Sequence, residues 1–80
     1  MITVSIQYFA LLREQRGLTH EKLLTGATTP AALYEELSAR YSFSLSTDRV
    51  RAAVNDEFVA PTHLLLDGDR VVFIPPVAGG

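Results

Sequence analysis

The side chains of this chain offer little that could do chemistry. The histidines are His20 and His63, and neither stands at zinc-ligand spacing from another donor. They read as ordinary surface or loop residues. There is no cysteine, so the chain has no disulfide, no thiolate metal site and no thiol nucleophile of its own. Asp67-Gly68-Asp69 looks at first like the start of a calcium loop. The twelfth residue counted from Asp67 is Ala78 rather than glutamate, so the pattern fails and the segment reads as a turn. Asp48, Asp56 and Glu57 fall in turn segments without an evident partner. No glycine-rich phosphate loop or Gly-x-Ser-x-Gly elbow is present. These residues imply no metal site and no catalytic set.

The remaining candidate is the end of the chain, Pro75-Pro76-Val77-Ala78-Gly79-Gly80. A final Gly-Gly arises by chance in roughly 0.5% of chains, and a loose end is the plain reading. The context adds to it. Two prolines favour extended backbone and project the chain away from what precedes them. Glycine then lets the backbone approach another surface closely. Such an end can thread a narrow channel and present the Gly80 α-carboxylate to another protein's active site. A carboxylate is a poor acyl donor until activated. Adenylation by ATP makes it reactive, and sulfide or a thiol can then attack.

A scaffold must hold that tail, and the hydropathy pattern shows one. Ile2, Val4, Ile6 and Tyr8 alternate with Thr3, Ser5 and Gln7, which predicts a half-buried strand. Phe9 falls on the polar face of that alternation. Ala10 to Arg16 are strong helix formers stopped by Gly17, and residues 18–25 read as a weaker strand. Thr29 and Pro30 start a helix over residues 30–41, with Leu33, Leu37 and Tyr41 on one face. Glu36 and Arg40 form an i,i+4 pair expected on its outer side. Residues 42–48 read as a loop with Phe43 and Leu45 tucked inward. Residues 50–54 alternate again, Asn55-Asp56 suits a two-residue hairpin turn, and Glu57 to Val59 return. Leu64-Leu65-Leu66 is a short apolar run. Arg70 to Ile74 form the last strand, which Pro75 ends. The order predicts an α+β domain spanning residues 1–80: a mixed sheet of four to five strands, one main helix on one face, and residues 75–80 as an extended tail. The other sheet face is left for a partner.

Composition agrees with a single small globular domain. The chain has 80 residues, 48% of them apolar and 20% charged, with net charge −2. A domain this short buries only about 60% of its unfolded surface. The acidic balance argues against nucleic acid. No apolar stretch reaches the ~20 residues of a membrane span, and the start lacks the features of a signal peptide. A cytoplasmic location is the expectation.

Strand, strand, helix and further strands ending in Gly-Gly resemble the β-grasp, ubiquitin-like fold. Within it, Phe73-Ile74-Pro75-Pro76-Val77-Ala78-Gly79-Gly80 closely resembles the ending of the small, sulfur-carrier subunits of molybdopterin synthase. Tyr8-Phe9-Ala10-Leu11-Leu12-Arg13-Glu14, Ala53-Val54-Asn55 and Leu66-Asp67-Gly68-Asp69-Arg70-Val71 fit the same family. The thiamine-pathway sulfur carriers usually lack the double proline.

The resemblance implies a protein that is not catalytic alone. An E1-like adenylating enzyme uses ATP to activate Gly80, and a sulfur donor converts it to a thiocarboxylate. The tail then enters the large synthase subunit and gives sulfur to a pterin precursor in molybdenum cofactor biosynthesis, within a heterotetramer. No cofactor is expected on the chain itself. Phe9, Phe58 and Ile74 are out of phase with the core pattern and should form an exposed apolar patch. The resemblance places the large-subunit contact at the same three positions. Arg13 matches an arginine of the family and is a candidate polar contact. Val77, Ala78 and Gly79 would thread the channel with Gly80. Two other readings stay open: a related carrier or ubiquitin-like modifier serving another acceptor, and a β-grasp binding module whose tail is idle. Lys22 is the only lysine, which favours sulfur carriage over chain-building on itself.

Overall fold

A computed structural model describes residues 1–76. Alternation carries β1 (Ile2–Tyr8), with Val4, Ile6 and Tyr8 buried. A short helix α1 (Ala10–Arg16) follows and ends at Gly17, whose φ of 81° is the left-handed conformation that glycine adopts without strain. β2 is His20–Thr25, two residues shorter at its start than the pattern suggested. Helix α2 spans Pro30–Tyr41 as expected. The Thr29 side chain accepts the Ala32 N–H at 3.1 Å and caps it. A single 3₁₀ turn at Thr47–Arg49 leads into β3 (Arg51–Val54). β3 turns through Asn55 and Asp56, at φ 51° and 73°, into β4 (Glu57–Val59). Two consecutive positive φ values are what a twisted two-residue hairpin requires. The last strand, β5, is Arg70–Ile74.

The five strands form one mixed sheet in the order β2-β1-β5-β3-β4. β1 and β5 run parallel, and the other neighbours are antiparallel. The last strand therefore lies at the centre of the sheet. Helix α2 covers one face through Leu33, Tyr34 and Leu37. Tyr34 packs edge-on to Phe73 at 5.3 Å between ring centroids and stacks with Phe43 at 5.5 Å. Its hydroxyl donates to the Leu45 carbonyl at 2.8 Å, which holds the loop after α2 against the core. Phe43 is buried and Leu45 half-buried, as expected.

One expectation needs correction. Glu36 does not sit on the outer side of α2 with Arg40. It turns toward β2, where its Oε1 accepts the hydroxyl of buried Thr25 at 2.9 Å. A polar group in the neighbouring strand outcompetes a solvent-exposed i,i+4 pair worth only a few tenths of a kcal/mol. The short apolar run Leu64-Leu65-Leu66 is a loop. Only Leu65 is buried, and its N–H donates to the Thr28 carbonyl rather than to a ladder.

Candidate functional site

Parallel pairing makes β1 and β5 finish at the same end of the sheet. Tyr8 pairs with Phe73, so Phe9 and Ile74 are the next residues out on each strand. β3 begins at this end, with Arg51 opposite Ile74. The chain leaves the sheet here through half-buried Pro75 and exposed Pro76. Val77, Ala78, Gly79 and Gly80, the tail residues singled out in the sequence, lie outside the described residues.

Strand parity sorts the side chains here. Val71 and Phe73 face the helix and are buried, whereas Ile74 belongs to the open face. Phe9 is 40% exposed and Phe58 61% exposed. Ile74 is the least accessible of the three. Phe9 and Ile74 line an apolar hollow of about 580 Å³ with Ala10, Leu11, Leu45, Pro75 and Pro76. Phe58 stands apart from this hollow. It lies on edge strand β4 opposite Ala53, which in turn lies opposite Val72. Ala53 and Val72 are apolar, so they make a continuous floor on the open face from Phe58 to Ile74.

Ala10, Leu11, Leu45 and Arg51 also belong to this surface and were not among the sequence candidates. Leu11 and Leu45 line the hollow. Leu45 comes from an irregular loop, where no periodicity reports direction. Arg51 lays its guanidinium over the Phe58 ring at 4.8 Å from the centroid. The alternation of buried Ala52 and Val54 could have placed it on the open face. Arg13 is exposed on α1, and it is not among the residues lining the hollow.

The motifs that carried the family resemblance prove to be structural ties. Asp67 Oδ1 accepts the Thr3 N–H at 2.7 Å, and the Gly68 N–H donates to the Thr3 carbonyl at 2.7 Å. The Asn55 amide donates to Asp69 at 3.0 Å, and its oxygen accepts the Arg70 N–H at 3.0 Å. Arg70 also pairs with Asp56. The turn before β5 is thereby fastened to β1 and to the hairpin, which fixes where β5 enters the sheet and so where the tail leaves it.

A second fixture holds α1, which follows Phe9. The Tyr8 hydroxyl donates to Glu21 at 2.6 Å, and Arg16 grips both carboxylate oxygens at 2.8 and 3.0 Å. Arg16 also stacks on Tyr41, 3.9 Å from the ring centroid. Hydrogen bonding from Arg16 holds the Glu21 carboxyl below its ordinary range. Burial, then the bond to Glu21, pushes the Tyr8 phenol well above its own. Among the described residues no cluster of His, Asp or Glu could hold a metal ion.

A five-stranded mixed sheet with its last strand central and one long helix on a single face is the ubiquitin-like β-grasp fold. The chain belongs to the ThiS family, whose model matches residues 6–80. It is 39% identical over 84 residues to the molybdopterin synthase sulfur carrier subunit of Mycobacterium tuberculosis (strain ATCC 25618 / H37Rv), covering all of both chains. It is 35% identical over 80 residues to the subunit of that name from Escherichia coli (strain K12), covering 96% of this chain and 99% of the other. A solved complex of subunits 1 and 2 of molybdopterin-converting factor from Helicobacter pylori 26695 contains a chain of the same fold. It matches at TM-score 0.68 and 22% identity, covering 99% of this chain and all of its own.

Proposed function

We propose that this chain is the sulfur-carrier subunit of a molybdopterin synthase, acting in the cytoplasm. The observation that carries the reading is the position of β5. It brings the chain to the centre of the sheet and releases it at Pro75-Pro76, beside the hollow formed by Phe9 and Ile74. Docking and delivery then share one place: a partner seated on the apolar surface receives the tail directly.

The chemistry falls on Gly80. Its carboxylate attacks the α-phosphate of ATP on an adenylating enzyme, and pyrophosphate leaves. A sulfur nucleophile then displaces AMP from the acyl-adenylate, leaving a thiocarboxylate. The charged tail enters the large synthase subunit, where its sulfur passes to the pterin precursor and water hydrolyses the remaining acyl bond, returning Gly80 to the carboxylate. The partners supply the pockets and catalytic groups; this chain supplies a rigid mount, a docking face and an activated terminus.

Reconstitution tests the reading. The thiocarboxylated chain, mixed with its cognate large subunit and the pterin precursor, is expected to give a dithiolene product, and the chain lacking Gly80 none. Equal product from the truncated chain would overturn it.

A further inference from the structure

The chain carries a net charge of −2, yet among the described residues the strand positions of its open sheet face hold no carboxylate and include two unpaired cations, Lys22 and Arg51. Strand register puts His20, Lys22, Arg70 and Arg51 on that face. None of the nine acidic residues occupies an open-face strand position. Glu21 and Glu57 are on the helix side of their strands, opposite Ile6 and Val54. The others are on helices or in turns. Asp56, in the hairpin turn, is already paired with Arg70. Among the described residues Arg51 and Lys22 form no ion pair.

Arg51 is a cation at the border of the apolar surface. It sits opposite Ile74 on one side, and its guanidinium lies over the Phe58 ring on the other. Stacking restricts the side chain before any partner arrives, so less rotamer freedom remains to be lost on docking. A guanidinium also keeps all its donors available for a planar carboxylate.

We propose that the open face docks an acidic protein surface: an apolar centre for Phe9, Ile74 and Phe58, bordered by carboxylates, one of which pairs with Arg51. This deepens the carrier reading and rests on it, the partner being the subunit that receives the tail. An acidic chain presenting unpaired cations on this face would also avoid self-association through it, since like charges would meet.

The test is the affinity of the full chain for its cognate large subunit, measured by calorimetry across a salt series. Arg51 is exposed, so Arg51→Gln and Arg51→Glu should keep the wild-type melting temperature. At low salt Arg51→Glu should raise Kd about tenfold or more, and Arg51→Gln by about two- to fivefold. Both differences should shrink toward nothing near 1 M salt, where the Debye length is ~3 Å. Phe58→Ala should weaken binding at every salt concentration. If Arg51→Glu binds like wild type while Phe58→Ala does not, the charge assignment is overturned and the carrier reading stands. If the wild type does not bind the large subunit at all, the carrier reading itself fails. Salt-dependent binding of a duplex DNA probe as tight as that of the large subunit would also overturn the acidic-protein assignment.

Discussion

Phe58 is an aromatic ring left 61% exposed on an edge strand, and stability alone does not account for it. Truncating it should change folding stability by no more than about 0.5 kcal/mol, as for other surface positions. As an interface anchor it should cost about tenfold or more in large-subunit binding. A melting curve beside a binding isotherm separates the two effects. Glu21 shows the opposite pattern, stability without docking. Its carboxyl is held low in the folded protein by Arg16 and Tyr8. A depressed folded pKa gives stability that is complete above the unfolded value and lost as pH falls through the folded one. Stability should therefore decline on acidification below about pH 4, the unfolded glutamate range. Glu21→Gln should lose about 1–2 kcal/mol at neutral pH and show a flatter acid limb in denaturant titrations. At Gly79, which falls outside the described residues, a tryptophan is expected to leave folding intact and block channel entry. Single-turnover sulfur transfer by Gly79→Trp at the wild-type rate would contradict this.

At the scale of elements, the parts readable from the sequence were those with a local cause. β1 follows from alternation, β5 from its apolar run stopped by Pro75, α2 from its Thr29-Pro30 start and its Leu33–Leu37 spacing, and the hairpin from Asn55-Asp56. Glu36 was misplaced, and the burial of Leu65 alone among the leucines at 64–66 was not foreseen, because distant partners decide them. Glu36 answers to Thr25 and Leu65 to Thr28, neither of which the spacing along α2 or the loop reveals. The turn before β5 is a second test at this scale. Gly68 has φ 87°, and nothing lies within 4 Å of where a Cβ would be. Gly68→Ala should therefore cost about 1 kcal/mol from backbone strain alone. For a domain of this size that lowers the melting temperature by about 4–8 °C, and large-subunit affinity should be unchanged. Leu37→Ala, in the fully buried helix face, should cost about 2–5 kcal/mol in chemical denaturation.

For the whole molecule, the apolar patch was legible in outline and its layout was not. Phase arguments put Phe9, Phe58 and Ile74 on the open face. They did not show that β5 takes the centre of the sheet, because strand order depends on pairings such as Ser5 with Arg70, 65 positions apart. That order brings the chain out at Pro75-Pro76 beside the apolar hollow rather than at an edge of the sheet. The domain is thus built so that a buried core, two polar ties and one exposed face all serve the placement of a terminus.

The measurement that tests this account most directly is the intact mass of the chain after incubation with ATP, its cognate adenylating enzyme and a sulfur source. A gain equal to sulfur minus oxygen is expected, carried by Gly80 and absent when that residue is deleted. An unchanged mass, with an adenylating enzyme shown to be competent on another carrier, would contradict it.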